Sequence, residues 1–394
     1  MIMLTKFQVK NFKKFNDNLV FDLSKKGDYD FNEEVIRNNN INFALIYGSN
    51  GSGKSNLGLA IFDILFHTTD QSSIFFIPPS LYENYLYGNG ILDDRAEFIY
   101  NFLLNNYNIE YRYVKKDFDN LIEEEFKVDG KTLIYMNREK KYKEINIPEG
   151  DFLKTDKFFE TNLSLLKYIF NNTISETEVL DIFFDFIHKM NWLRSLQRNN
   201  YMGYSLNNRS VTDSILNVND IENLNISSEE KERKYNENLK ELEFFLTESG
   251  IKLNLIQKEE EGKRQIYAKF KVSEKQEKLI KLLNIASSGT LALLVFYIFY
   301  MRLEKNSLLF IDEFDAFYHF KLTKFIIKKL KANKNVQVIL TTHSTNLMDN
   351  ELLRPDCYFI IKDNKIKNLP ELTDKELREE HNIEKLFKSG AFDE

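Results

Sequence analysis

Residues 41–67 read INFALIYGSNGSGKSNLGLAIFDILFH, and this stretch decides the fold class. Its first part, residues 41–48, is a nearly continuous apolar run that ends on glycine, which is typical of a strand buried on both faces. Its last part, residues 55–67, repeats apolar residues at the spacing of a helix. A buried strand, a glycine-rich turn and a helix in this order predict an α/β fold.

The turn between the strand and the helix has the pattern G-x-x-x-x-G-K-[ST], in a chain with 14 glycines among 394 residues. Glycines let the backbone curl so that N–H groups and the helix N-terminus point at phosphate oxygens. Lys54 is expected to reach the β- and γ-phosphates, and Ser55 to ligate Mg²⁺. The pattern predicts that ATP phosphates are bound by Gly48, Ser49, Asn50, Gly51, Ser52, Gly53, Lys54 and Ser55.

A pair of acidic residues follows a second apolar run. The run at residues 308–311 predicts a buried strand, and Asp312 and Glu313 stand at its end. Successive side chains of a strand point in opposite directions, so the two carboxylates can serve different tasks. We predict that Asp312 contacts Mg²⁺ and that Glu313 polarises the attacking water.

A third apolar strand is predicted at residues 336–343; it ends in Thr341-Thr342-His343 and is followed by Ser344. The carboxyl ends of parallel strands form the edge at which open α/β sheets bind ligands. We therefore expect His343 to donate a hydrogen bond to the γ-phosphate and to act with Glu313 in catalysis. A packed or surface histidine is the alternative interpretation.

Composition excludes several classes of protein. The net charge of −6 gives no overall electrostatic signature of nucleic-acid binding, although a local basic face is compatible with it. The single cysteine, Cys357, excludes an internal disulfide framework and fits a reducing cytoplasm. The longest apolar run, residues 291–301, is far shorter than the roughly 18 residues expected of a membrane span. We expect a cytoplasmic protein without a secretory signal or a membrane segment.

The order of these motifs, with Ser287-Ser288-Gly289-Thr290 before the apolar helix, resembles that of the ABC-type ATPases of the SMC, Rad50, RecF and OLD branch. The opening FQVKNFKKF is similar to the first strand of that branch. The resemblance implies that two subunits sandwich ATP and that the signature of one subunit caps nucleotide on the other. It assigns the signature contacts to Ser287, Ser288 and Gly289, and the D-loop position to Asp315.

Within this branch, residues 27–64 and 377–392 look most like the OLD-like or AAA_15 ATPases of prokaryotic defence loci. These include abortive-infection and RloA-like proteins and the ATPase subunits of PARIS and Septu systems. The resemblance implies an ATP-clamped homodimer or larger assembly that senses phage infection and controls a separate effector, a nuclease or a toxin. One departure is the lack of a convincing Q-loop glutamine, for which Gln71 is the nearest candidate.

Two alternatives remain at this point. A RecF-like DNA repair or chromosome-maintenance ATPase predicts a basic stripe and nucleic-acid-stimulated hydrolysis. A transporter motor subunit fits less well, because the signature ends in Gly-Thr and the central block is not a short coupling subdomain.

The predicted architecture is an ABC-type P-loop ATPase head, a mixed β-sheet with flanking helices and antiparallel N-terminal strands, interrupted by a helical insertion. The predicted division is an N-terminal lobe at residues 1–148, an insertion lobe at 149–262 and a C-terminal lobe at 263–394.

Overall fold

The computed structural model describes residues 2–69, 83–91, 93–148, 153, 155–172, 177–194, 200–201, 204–205, 227–260, 263–274 and 276–393. Gln71 lies outside these residues. The chain forms two compact units. The first contains residues 1–193, 304–313 and 331–394, and the second contains residues 194–303 and 314–330.

The phosphate-loop strand lies inside a mostly parallel sheet of the first unit. The described strands of this sheet are, in spatial order, β11 (Met190–Arg194), β17 (Ser307–Asp312), β18 (Val336–Thr342), β5 (Phe43–Tyr47), β19 (Tyr358–Lys362) and β20 (Lys365–Asn368). Strands β17, β18, β5 and β19 run parallel, and β20 pairs antiparallel with β19. Every residue of β17, β18 and β5 is buried, as their continuous apolar runs predict.

A second sheet of the first unit is antiparallel. Its described strands are, in spatial order, β10 (Tyr142–Ile145), β9 (Lys131–Asn137), β8 (Leu121–Val128), β7 (Tyr107–Lys115), β6 (Ala96–Leu104), β1 (Ile2–Lys10) and β2 (Leu19–Asp22). Burial alternates along β6, so one face of this sheet is covered. Gln337 of β18 exchanges two hydrogen bonds of 2.9 and 2.8 Å with the backbone of Leu4, which ties the two sheets together.

Shorter elements complete the first unit. They are the strand pair β3 (Ile36–Arg37) and β4 (Asn40–Ile41) and the helices α1 (Lys54–Thr68), α2 (Leu165–Asn172), α3 (Glu178–His188) and α8 (Ile383–Lys388). The mixed sheet with flanking helices and the antiparallel N-terminal strands agree with the predicted α/β head.

Helix α1 contacts both large sheets. The Tyr100 hydroxyl of β6 donates to the Ala60 carbonyl at 2.7 Å, and the rings of Phe62 and Phe310, the latter in β17, lie 6.3 Å apart. Gly58 faces β17 so closely that a Cβ there would lie 2.8 Å from the Phe310 ring. Helix α1 is therefore buried around most of its circumference and lacks the solvent-facing stripe of a surface helix.

The second unit packs helices with a small antiparallel sheet. Its described elements are β12 (Asn200–Tyr201), β13 (Tyr204–Ser205), α4 (Ser228–Glu248), β14 (Leu255–Glu260), β15 (Lys263–Ser273), β16 (Gln276–Lys281), α5 (Leu282–Ile285), α6 (Ser288–Arg302) and α7 (Phe320–Ala332), of which residues 331 and 332 fall in the first unit. Phe245 of α4 packs against Tyr297 of α6 and Phe325 of α7, with ring centroids 5.0 and 5.3 Å apart.

The two units divide the predicted insertion lobe, residues 149–262, between them. Helices α2 and α3 belong to the first unit, because Phe183 of α3 packs against Phe102 and Phe126 of the antiparallel sheet. Helix α4 belongs to the second unit together with β14, β15 and β16. Among the described residues, every helix is too short or too polar to cross a bilayer.

A buried ion pair connects α1 to the antiparallel sheet. Lys115 of β7 lies 2.9 Å from a carboxylate oxygen of Asp63, and both side chains are almost fully buried. The hydroxyls of Tyr85 and Tyr113 donate to the same carboxylate at 3.0 and 2.9 Å. Burial favours the neutral acid, but the Lys115 ammonium and the His67 side chain lower the pKa of Asp63 to about 2.

We expect Lys115→Met to lower the free energy of unfolding by about 3 kcal/mol, because it leaves the Asp63 carboxylate buried without its cation. Lys116→Met is the matched control, since Lys116 is half-exposed and its ion pairs with Asp94 and Glu139 lie at the surface. Surface pairs of this kind contribute less than about 1 kcal/mol. Urea unfolding at neutral pH measures both variants, and equal losses would contradict a special role for the buried pair.

The stability that the Asp63 carboxylate contributes depends on pH with a definite sign. The folded-state pKa of Asp63, about 2, lies below its ordinary value of 3.8, so the unfolded chain binds the proton more tightly. The stabilisation is therefore complete above the ordinary pKa and is lost as the pH falls toward the folded-state pKa. The difference in the free energy of unfolding between the wild type and Lys115→Met should therefore decrease over the same pH interval.

Candidate functional site

Three neighbouring parallel strands end at the same edge of the mostly parallel sheet. Strand β18 lies between β17 and β5, and the pairing continues to Ile311↔Leu340 on one side and Thr342↔Tyr47 on the other. The segments that follow these strands therefore meet at one place. They are the phosphate loop at residues 48–55, the Asp312–Glu313 pair and His343.

The phosphate loop has the backbone conformation that its glycines predict. Gly51 and Gly53 have positive φ angles of 73° and 110°, and α1 begins directly after Gly53. A side chain at Gly53 would also meet the Phe15 ring, 2.9 Å from an added Cβ. Ser49, Asn50 and Gly51 are exposed, whereas the last turn of the loop is buried. The loop is thus open to solvent on one side and fixed on the other.

Lys54 spans the phosphate loop from the start of α1. Its side chain is buried, and its Nζ donates to the carbonyls of Gly48 at 2.7 Å and Ser49 at 3.1 Å. The same Nζ lies 3.2 Å from Nδ1 of His343. The loop therefore holds a positive charge against its own carbonyl groups and beside His343.

His343 connects the phosphate loop to the acidic pair. Its Nε2 lies 3.3 Å from a carboxylate oxygen of Glu313, and its Nδ1 lies 3.1 Å from the Gly48 carbonyl. With the proton on Nε2, the ring donates to Glu313 and accepts at Nδ1 from Lys54, and the contact of Nδ1 with the Gly48 carbonyl is then not a hydrogen bond. His343 and Glu313 are partly exposed, so a ligand can reach both.

The side chains at this edge suit a magnesium nucleotide. Ser52 Oγ is buried and, among the described residues, has no hydrogen-bond partner, so it can donate to a phosphate oxygen. Ser55 is half-buried at the first turn of α1, and Asp312 is a buried carboxylate at the end of β17. Hydroxyl and carboxylate oxygens are the ligands that Mg²⁺ prefers.

The signature residues lie in the second unit and begin a long helix. Ser287 caps α6, with its Oγ accepting from Thr290 N–H at 3.1 Å, while Ser287 and Ser288 are exposed. Gly289 allows a close approach, because a Cβ there would lie 3.0 Å from the Phe317 carbonyl oxygen. Asp315 is half-buried in the same unit. The structure thus gathers the phosphate loop, the acidic pair and His343 in the first unit, and places the signature and Asp315 in the second.

Two contacts at the phosphate loop have no counterpart in the sequence predictions. Lys14 donates from its Nζ to the Gly51 carbonyl, and Phe15 packs against Gly53. Both residues belong to the segment FQVKNFKKF, whose resemblance to the first strand of the ABC-type branch did not predict these contacts. The spacing of basic and aromatic residues gave no signal that they touch the loop.

Comparison with known protein families assigns the chain to one of them. Residues 43–349 match the AAA_21 family, described as "AAA domain, putative AbiEii toxin, Type IV TA system". No curated protein matches the chain.

Solved structures of SMC heads are similar to the chain at low sequence identity. An SMC head bound to the C-winged helix domain of ScpA is 17% identical, covering 93% of this chain and 97% of that chain, with a TM-score of 0.45. The SMC head domain from Thermotoga maritima is 13% identical, covering 93% and 97%, with a TM-score of 0.41. An Smc head with a coiled coil and joint from Pyrococcus yayanosii is 14% identical, covering 99% and 100%, with a TM-score of 0.43.

Proposed function

Because this chain belongs to the AAA-domain family matched by residues 43–349, and because its phosphate loop, acidic pair and His343 meet at one edge of a mostly parallel sheet, we propose that it binds and hydrolyses ATP at that edge. The observation that carries the proposal is the contact set of His343, which reaches the phosphate loop through Gly48 and Lys54 and the acidic pair through Glu313.

Each side chain has a definite task in this proposal. Ser55 and Asp312 hold Mg²⁺, which when bound neutralises charge on the phosphate oxygens. Lys54 places a cation beside the same oxygens, and the loop N–H groups donate to them. Glu313 accepts the proton of the attacking water. His343 holds the Glu313 carboxylate through Nε2, and its partly exposed position lets the terminal phosphate approach the ring.

We further propose that ATP clamps two copies of the chain together. The exposed start of α6 supports this, because the first N–H groups of a helix have no intrahelical partner and bind anions. Ser287 satisfies the Thr290 N–H, which leaves the N–H groups of Ser288 and Gly289 for phosphate oxygens on a second copy. Asp315 then lies at the boundary of the two copies.

We expect Ser288→Arg to spare ATP binding and to reduce hydrolysis at least about 100-fold, because a bulky cation blocks the approach of α6 to the nucleotide of a second copy. Ser228→Arg is the matched control, since Ser228 is the exposed first residue of α4 behind a serine cap, like Ser288 in α6. Steady-state phosphate release measures hydrolysis, and the anisotropy of a fluorescent ATP measures binding. Normal hydrolysis by Ser288→Arg would refute the signature assignment.

The biological role that we propose is regulatory. The chain acts as the ATP-clamped sensor of an anti-phage, abortive-infection system and controls a separate effector, a nuclease or a toxin. The description of the matched family names a putative toxin and a type IV TA system, and it supports a role in a system of this kind.

Expression in bacteria tests the role. We expect the chain alone to leave growth unchanged, and the chain with its neighbouring gene to stop growth after phage infection. Growth arrest by the chain alone would make it the toxin. ATP hydrolysis that rises with DNA and falls steeply with salt would favour the repair or chromosome-maintenance alternative.

A further inference from the structure

A buried threonine stands behind the acidic pair. Thr341 is the sixth residue of β18, pairs with Ile46 of β5 and is fully buried. The pairing of β17 with β18 ends one residue earlier, at Ile311↔Leu340. The side chain of Thr341 therefore lies where β17 leaves the sheet and the acidic pair begins.

The Thr341 hydroxyl is bonded to both acidic residues. It accepts from the backbone N–H of Glu313 at 2.8 Å and lies 2.7 Å from Oδ1 of Asp312. Since a backbone N–H can only donate, the single hydroxyl proton is directed to the Asp312 carboxylate. One oxygen atom thus fixes the orientation of the Asp312 side chain and the position of the Glu313 backbone.

Glu313 needs such a support because its backbone is unusual. Its φ angle is +52°, in the left-handed region that residues other than glycine rarely adopt. The backbone of Glu313 is held by Thr341, and its side chain is held by His343 at 3.3 Å. Thr341 and His343 are two residues apart, so both supports come from the end of one strand.

We propose that Thr341 is a positioning residue, which aims the Asp312 carboxylate at the metal and holds Glu313 in its left-handed conformation for catalysis. This inference rests on the proposed ATP hydrolysis. Thr341 itself touches neither metal nor substrate in this mechanism and acts through its two neighbours.

The test compares Thr341→Val, which removes the hydroxyl and keeps the shape, with Thr341→Ser, which keeps the hydroxyl. For Thr341→Val we expect the Mg²⁺ concentration for half-maximal binding of a fluorescent ATP to rise about 10-fold, as for other residues that orient a metal ligand. We expect kcat to fall about 100-fold, since small misplacements of reacting groups cost that much. Binding of the fluorescent ATP in EDTA should stay unchanged, and Thr341→Ser should restore both values to within about 3-fold of wild type.

A control separates positioning from the loss of a buried hydroxyl. Thr68 is also fully buried, in α1, and its hydroxyl donates to the Ile64 carbonyl at 2.5 Å. Thr68→Val should lower the melting temperature and leave the Mg²⁺ requirement unchanged. Should Thr341→Val fail to fold, Thr341→Ala provides the same comparison without a branched side chain.

The outcomes are distinguishable. A wild-type protein without Mg²⁺-dependent ATP binding overturns the proposed function and this inference together. A wild type that binds and hydrolyses ATP, with a folded Thr341→Val of unchanged Mg²⁺ requirement and kcat, overturns the inference alone. Loss of activity in Thr341→Ser equal to that in Thr341→Val also overturns it, because the hydroxyl would then be irrelevant.

Discussion

Lys54→Ala is expected to weaken ATP binding about 1000-fold, because it removes the buried cation of the phosphate loop. In the structure the Lys54 ammonium is already positioned by the Gly48 and Ser49 carbonyls, so it meets a phosphate without being reordered. The same change removes the donor that contacts His343 Nδ1, which disturbs the link to the acidic pair. The anisotropy of a fluorescent ATP measures the affinity.

The control for this change is Lys365→Ala, an exposed lysine of β20 in the same sheet. It removes an equal charge, so any general electrostatic effect on ATP affinity appears in both variants. The melting temperature shows whether Lys54→Ala remains folded after losing its bonds to the loop carbonyls. A folded Lys54→Ala variant with wild-type affinity would exclude the loop as the ATP site.

Glu313→Gln is expected to lower kcat about 1000-fold and to leave ATP affinity unchanged. The amide keeps the size of the side chain, and its oxygen can still accept the proton of His343 Nε2. What is lost is the basicity that takes up a proton from water. The variant should therefore accumulate as an ATP-bound dimer, which elutes earlier in size-exclusion chromatography with ATP and Mg²⁺.

A double variant distinguishes the clamp from nonspecific association. Lys54→Ala combined with Glu313→Gln should elute at the nucleotide-free size, because it cannot bind the ATP that joins the copies. If Glu313→Gln alone elutes at the nucleotide-free size with ATP and Mg²⁺, the proposal that ATP clamps two copies together is wrong. If the double variant also dimerises, the association does not depend on nucleotide.

The three strands of the site could be predicted because each signal is local. The apolar runs at residues 41–48, 308–311 and 336–343 correspond to β5, β17 and β18, which are buried throughout. A parallel sheet covered on both faces requires such runs, and glycine or acidic residues mark their ends. The contacts of His343 follow once these strands are neighbours.

The partners of strand β8 could not be predicted from its sequence. That sequence, LIEEEFKV, contains three successive glutamates, a residue type that is depleted in strands. Glu124, the middle one, is fully buried, and its carboxylate accepts from the Ser164 hydroxyl at 2.6 Å and from Leu165 N–H at 2.9 Å. These donors lie about 40 residues away in the chain, so the sequence alone could not show that the charge is satisfied.

The helical lobe was also only partly predictable. Within the predicted insertion lobe, residues 228–248 form the 21-residue helix α4, whereas residues 255–260 form strand β14, which pairs with β15 in the predicted C-terminal lobe. Strands β14, β15 and β16 are exposed over about half of their residues and are rich in lysine and glutamate, so alternation is weak in them. Thr341 stood in a segment that the sequence analysis quoted, but its hydroxyl bonds depend on the neighbouring strand β17.

The enclosure of α1 has a mechanical consequence. Its first turn carries Lys54, and its last turns carry Asp63 and His67, about 14 and about 20 Å further along the axis. A helix that is packed on nearly every side cannot bend freely and therefore moves as a rigid body. A small displacement of its first turn is then transmitted along the axis to its last turns. The buried cluster of Asp63, Lys115, Tyr85 and Tyr113 would then respond to the chemical state of bound phosphates without contacting them.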